Sequence, residues 1–410
     1  MKGASYSVML TSQNQKHVKS ACYATNVSMS AVSNLSPLLF VTFREMYGIS
    51  YTLLGLLVVI NFATQLFIDL VFSFFAKYFN IHKTVKFTPI ITIIGLIIYA
   101  LMPKFFPQSA YLWICVGTVI FSVSAGLSEV LISPVIAALP SDNPEREMSK
   151  LHSIYAWGVV AVVIVSTLFL QLVGRENWCY LALLWTVVPL FAAIQFMRSS
   201  LPEMSVGGAE SSKNGGGKLG LIMCVLCIFL GGAAECTMAQ WVSGFIESAL
   251  GIPKLIGDVF GVAMFAVTLG IGRTLYASRG KNIERVMLLG MIGAGVCYIV
   301  AAICPLPIVS LIACVMTGLC VSMLWPGTLI YAEERIHGLG VAAYALLAAG
   351  GDMGASVVPQ LVGVVADLFG TEEIGMRAGI LAASVFPILG AVLLLCMKRY
   401  FKKRGADCGR

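Results

Sequence analysis

Charge is scarce in this chain: Asp, Glu, Lys and Arg together make up only 11% of it, and there are four histidines. With 58% hydrophobic residues over 410 positions and a mean hydropathy of +0.89, that scarcity excludes an ordinary soluble multidomain enzyme. Other absences narrow the class. No Gly-x-x-x-x-Gly-Lys-Ser/Thr run occurs, so the chain carries no ATP-driven engine of that type. No ten-residue segments of alternating polarity occur, which argues against a transmembrane barrel. The first apolar run is of spanning length and lacks a small-residue cleavage site, so no secretory signal is expected. Cys224-x-x-Cys227 has no second pair or histidine near it, and nearly all of the twelve cysteines lie in apolar runs, where they behave as small hydrophobes. Neither a disulfide framework nor a metal site is expected. No nucleophile and base occur together at membrane depth, so enzymatic chemistry and a cofactor are not expected either.

What is present is a series of long apolar runs. They span Ser20 to Val41, Tyr51 to Lys77, Phe87 to Met102, Ala110 to Leu139, Leu151 to Val173 and Trp178 to Met197. After a polar gap come Leu219 to Ser243, Leu255 to Tyr276, Val286 to Ile303, Ile308 to Ala332, Gly340 to Leu368 and Arg377 to Met397. Twelve helices of roughly 22 residues each cross a hydrocarbon layer of roughly 30 Å and leave the remainder for loops. The expected class is an all-α membrane protein, and forty glycines and fifteen prolines suit helices packed against neighbours in lipid.

The net charge of +7 is a topology signal here, not a nucleic-acid one. With the N-terminus inside, Arg44, Lys104, Arg175, Lys254 and Arg377 fall outside, and the other twenty-two of 27 basic residues fall inside, Arg273, Arg279 and Lys281 among them. That bias places both termini in the cytoplasm of a cell with the protein in its inner membrane. The basic tail Lys398 to Arg404 then anchors the chain at the anionic inner leaflet. The Gly- and Ser-rich stretch Leu201 to Lys218 separates the spans six and six. An N-terminal bundle over 1–198, a linker over 199–218 and a C-terminal bundle over 219–410 are therefore expected. An offset of 192 residues relates them: Gly126-Leu127 followed by Pro134 matches Gly318-Leu319 followed by Pro326, and Gly158 matches Gly350.

Polar residues inside spans are the candidates for function, because an ionised carboxylate at mid-bilayer costs on the order of 3 kcal/mol. Glu129, Glu235 and Asp352 lie near mid-span. Thr118, Ser122, Gly126, Glu129 and Ser133 recur at intervals of three and four, on one helical face. No Lys or Arg is expected at that depth to pair with Glu129, and an unpaired carboxyl there takes up a proton when dry and releases it when wet, as proton coupling requires. Glu235 and Asp352 invite the same assignment, with interhelical hydrogen bonding as the alternative for all three. Asn26, Ser30 and Asn34, then Asn61, Gln65 and Asp69, then Thr237, Gln240 and Trp241 form further stripes. Amides together with Tyr155, Trp157 and Trp325 suit a polyhydroxylated solute, the amides for hydroxyls and the rings for an apolar sugar face. Asp69 with Lys77, Arg273 and His152 sit toward the inner ends of their spans and are expected to be gating contacts.

Two sixes of spans, a polar central linker and basic loops after spans two and eight resemble the Major Facilitator Superfamily over essentially the whole chain. Within it, Gly126-Leu127-Ser128-Glu129 through Pro134, then Leu151-His152-Ser153-Ile154-Tyr155-Ala156-Trp157-Gly158, is similar to spans four and five of the fucose permease group of sugar–proton symporters. That resemblance implies substrate and proton roles for Glu129. The acid that the group carries after an Asn-Leu pair in span one is Ser36-Pro37 here, and Glu235 is the natural replacement. The expected function is monomeric proton symport of a small polar solute, a sugar, by alternating access; the alternative is a proton-driven exporter of amphipathic compounds.

Overall fold

The structure, a computed structural model, describes residues 12–49, 51–204, 217–250, 261–336, 339–368 and 371–407. The Gly-rich centre of the expected linker, Lys254 and the first residues of the eighth expected span lie outside them. The first half runs α1 (Ser12–Leu38), α2 (Phe40–Tyr47), α3 (Tyr51–Phe75), α4 (Ile81–Phe105), α5 (Ala110–Ala138), α6 (Pro144–Val173), α7 (Trp178–Trp185) and α8 (Val187–Met197). The second runs α9 (Gly217–Leu250), α10 (Met264–Arg279), α11 (Ile283–Ile303), α12 (Pro307–Val321), α13 (Leu324–Arg335), α14 (Val341–Asp367), α15 (Glu372–Ala383) and α16 (Val385–Asp407). Among the described residues there is no strand, and ten stretches are long and apolar enough to cross a membrane. With α1 and α10 they give the twelve crossings, six per half.

Three spans expected as single helices are each two, and proline chemistry accounts for the breaks. A proline has no N–H to donate and its ring crowds the carbonyl four residues earlier. Pro189, Pro326 and Pro387 follow the α7–α8, α12–α13 and α15–α16 breaks, and α7 and α15 end four residues before their prolines. At each break a hydroxyl donates to the carbonyl three residues earlier: Thr186 to Leu183 (2.6 Å), Ser322 to Leu319 (2.7 Å) and Ser384 to Leu381 (2.7 Å). Asn80 and Asn143 cap α4 and α6 by accepting from the backbone N–H three residues on, each at 3.1 Å.

Inside the first half α4 packs on α5 and α1 on α6; inside the second α9 packs on α14 and α11 on α12. The α9–α14 crossing is so close that a Cβ at Gly354 would lie 2.1 Å from the Phe229 carbonyl oxygen. Small residues allow that approach, which supplies packing energy where lipid offers no hydrophobic drive. Side chains such as Phe74, Leu172, Leu289 and Ile308 are exposed, as a lipid-facing surface requires. The halves meet along α3–α14, α6–α10 and α5–α14. Polar contacts across that seam cluster toward the face where α1 begins: Tyr276 donates to Glu145 (2.8 Å) and Ser149 to the Arg273 carbonyl (2.8 Å).

Candidate functional site

A cavity of about 140 Å³ lies between the two halves. Helical periodicity explains who reaches it. Asn26, Met29 and Ser33 are one face of α1, Glu129 and Ser133 one face of α5, and Tyr344, Ala348, Asp352 and Ala355 one face of α14. Gln65 enters from α3, His152 and Tyr155 from α6, Glu235 from α9, Arg273 from α10 and Trp325 from α13.

Five residues expected at a solute site do not line it. Asn34 turns back to the Ser30 carbonyl (2.9 Å), and Asn61 is taken up by Ser122 (2.6 Å) and Gln65 (3.1 Å). Trp157 donates across the seam to Thr274 (2.9 Å), 40% exposed and away from the cavity. Gln240 and Trp241 donate to carbonyls of α14, those of Ala355 (3.3 Å) and Pro359 (2.9 Å). For Gln240 and Trp241 the shared face looks at a neighbouring helix and not at the cavity, whereas Asn34 and Asn61 lie on the stripes of Asn26 and Gln65, which do reach it. Lys77 is exposed, its ammonium 5.1 Å from the Tyr78 ring, and does not meet Asp69.

Arg273 corrects the charge map most. Counted by position among the inside loop residues, it is 3% exposed within α10 and bound to Glu235, Nη2 donating to the two carboxylate oxygens at 2.8 and 3.0 Å. Glu235 is therefore not an unpaired acid, and a cation does lie at membrane depth. Pro326 is part of the cause. Lacking an N–H, it leaves the Ser322 carbonyl without its helical donor, and Arg273 Nε supplies one at 2.9 Å. The remaining arm, Nη1, donates to the His152 carbonyl of the other half at 3.3 Å, so two residues expected as gating contacts meet across the seam.

A second acidic group, two of whose members, Glu129 and Asp352, line the same cavity, has no such balance. Carboxylate oxygens of Asp69 (α3), Glu129 (α5) and Asp352 (α14) all lie within 4.8 Å of one another. Asp69 is wholly buried, and neither of its oxygens has a hydrogen-bond partner; Asp352 is 5% exposed with its Oδ2 unpartnered. The sequence stripe Asn61, Gln65 and Asp69 contains this signal, although the place of Asp69 toward the inner end of its span predicts a gating contact. Gly126, one turn before Glu129, lets α5 close on α3: a Cβ there would meet Gln65 and Ile68 at 3.0–3.2 Å. Tyr344 and Cys236 also line the cavity, and nothing in their sequence context singled them out.

Chemically, then, the cavity offers amide and hydroxyl groups, the Trp325 indole, one balanced ion pair and two acids, Glu129 and Asp352, that cluster with the buried Asp69 behind them. Comparison with known proteins places this arrangement. A family model described as the Major Facilitator Superfamily matches residues 21–359. No curated protein matches the chain. Among solved structures it is similar to the E. coli fucose:proton symporter FucP, at 16% identity over 92% of this chain and 98% of that one, TM-score 0.73. It is also similar to the proton:xylose symporter XylE bound to 6-bromo-6-deoxy-D-glucose, at 12% identity over 93% and 95%, TM-score 0.74. A bacterial homologue of the iron transporter ferroportin, in an outward-facing state, matches at 10% identity over 93% and 99%, TM-score 0.72. Identities this low speak to fold alone. The family match over most of the length decides membership: this chain belongs to the Major Facilitator Superfamily and is a multi-pass membrane transporter.

Proposed function

We propose that the protein moves a small polar solute, a sugar, across the cell membrane by proton symport, its halves 1–198 and 219–410 rocking as a monomer about the central cavity. The observation that carries this reading is Glu129: a carboxyl on the cavity wall, between the halves, with no ion-pair partner among the described residues. Such a group accepts a proton when the cavity is sealed and gives it up when water enters, so one conformational change moves both proton and solute. Asn26, Gln65, Tyr155 and Trp325 supply the hydroxyl-binding and ring-facing groups that a sugar needs. The neighbours FucP and XylE are symporters of fucose and xylose with protons, which supports the same class.

The positive-inside bias puts the face where α1 begins in the cytoplasm. The Tyr276–Glu145 and Ser149–Arg273 contacts then seal the cytoplasmic side, as in an outward-facing state. The cavity is smaller than the roughly 300–1,000 Å³ of pockets for drug-sized ligands, which favours a small solute over an amphipathic drug. The test is external pH in weakly buffered, de-energised cells pulsed with a panel of sugars including fucose, against Glu129→Gln. Alkalinisation on one sugar, lost in the variant while counterflow of that sugar persists, is the expected result. Uphill accumulation by the Glu129→Gln protein would remove Glu129 from proton coupling.

A further inference from the structure

We propose that Asp69, Glu129 and Asp352 form a site for one hard divalent cation, of the magnesium, calcium or manganese class, that bridges the two halves. Two ligand atoms on one ion are separated by at most twice the metal–oxygen distance, roughly 4.6–5.2 Å for calcium. The three carboxylates meet that limit, with all their ligand oxygens within 4.8 Å. Independent of that proximity, Asp69 offers an oxygen to the group while wholly buried, and no N–H or O–H donor of another residue type reaches either of its oxygens. A buried polar atom left unmade costs about 1–3 kcal/mol, and more when charged, so two on one carboxyl mark a position that something else fills.

Ligand type and charge set the class. The donors are oxygens only, which select hard cations over zinc or copper. Three carboxylates carry up to three negative charges, and the arginine lining the cavity does not offset them: Arg273 is committed to Glu235, the Ser322 carbonyl and the His152 carbonyl. A monovalent ion would leave two buried negative charges where a divalent ion leaves one. Of the other titratable groups lining the cavity, Glu235 is paired with Arg273, Tyr155, Tyr344 and Cys236 are neutral in their ordinary protonated forms, and His152 has a buried Nε2 without a partner.

Position gives the site its consequence. Asp69 and Glu129 belong to the first half and Asp352 to the second, so an ion held by all three clamps α14 against α3 and α5 in the arrangement described here. Because the ligands bind metal only when deprotonated, occupancy falls as pH is lowered. The site needs neither sugar nor proton transport to exist, so its test is separate from that of the proposed function.

The experiment is Mn²⁺ binding to the purified full-length protein in nanodiscs, by electron paramagnetic resonance and calorimetry, with Mg²⁺, Ca²⁺ and Na⁺ as competitors. One saturable Mn²⁺ per chain is expected, displaced by Mg²⁺ or Ca²⁺, weakened from pH 7.5 to 5.5, and weakened about 10-fold or more by either Asp69→Asn or Asp352→Asn. Mn²⁺ should also raise the unfolding temperature of the native protein and not that of Asp69→Asn, whose amide removes a buried charge and so leaves folding intact. Absence of saturable Mn²⁺ binding to the native protein, binding unchanged in both variants, or displacement by Na⁺ alone would each overturn the proposal.

Discussion

Replacing Arg273 with methionine removes a cation that makes four hydrogen bonds: two to Glu235, one to the Ser322 carbonyl and one to the His152 carbonyl. With the pair 3% and 13% exposed, water cannot screen the carboxylate left behind. Breaking a buried ion pair by deleting one member costs roughly 3–5 kcal/mol. Protonation caps the Glu235 share. Neutralising an ordinary glutamate at pH 7 costs about 3.7 kcal/mol, from 2.7 pH units at 1.36 kcal/mol each. The orphaned Ser322 carbonyl adds about 1 kcal/mol or more. Arg273→Met is therefore expected to lose about 4–5 kcal/mol at pH 7, and about 2 kcal/mol at pH 5, where the protonation cost falls to about 1 kcal/mol. Adding Glu235→Gln removes the stranded charge, so the double variant should lie within about 2 kcal/mol of the native protein at both pH values. Denaturant unfolding in nanodiscs or mixed micelles measures all three proteins. An Arg273→Met protein as stable as the native one, or a double variant no better than the single, would refute the pairing as an energetic feature.

Pro326→Ala returns an N–H within reach of the Ser322 carbonyl, so it should close the α12–α13 break and withdraw that acceptor from Arg273. Folded protein with solute affinity or transport rate reduced about 10-fold is expected, since a charge-assisted hydrogen bond contributes roughly 1.5–3 kcal/mol; unchanged transport would count against the link. Tyr276→Phe deletes the 2.8 Å hydrogen bond to Glu145 that ties α10 to α6. A loss of about 1 kcal/mol from the sealed side shifts the open-to-closed ratio about five-fold toward opening there, read as faster labelling of a cysteine introduced at that face.

The spans were legible because an apolar run of some twenty residues has few homes other than a bilayer. The breaks were legible in principle too, since Pro189, Pro326 and Pro387 each sit inside an expected span. Sequence could not say which neighbour a polar face looks at. Trp241 and Gln240 share a stripe with Thr237, and that stripe packs on α14, because the close α9–α14 crossing leaves their donors nearest its carbonyls. Depth was the other hidden quantity. Asp69 lies six residues before the end of α3 and Arg273 six before the end of α10, about 9 Å each at 1.5 Å per residue. Read along a line, both belong to the membrane rim; in the bundle, the helices extend past the cavity floor and both groups sit inside.

Those two misjudged residues explain why the cavity carries charge in two different ways. Arg273 and Glu235 cancel each other within the second half, and the arm that reaches the His152 carbonyl meets a neutral acceptor. Their net charge is the same whichever side of the membrane the cavity faces, so nothing about them obliges an ion to travel. Asp69, Glu129 and Asp352 have no such internal balance, and one of the three rides on the opposite half from the other two. Separating α14 from α3 and α5 pulls their oxygens apart and wets them; bringing the helices together demands that the charge be met by protons or a cation before water leaves. On the proposed alternating access, the seam would close only once ions had bound there and open once they had gone. On that proposal the acids, not the ion pair, are where ion movement is tied to the motion of the halves.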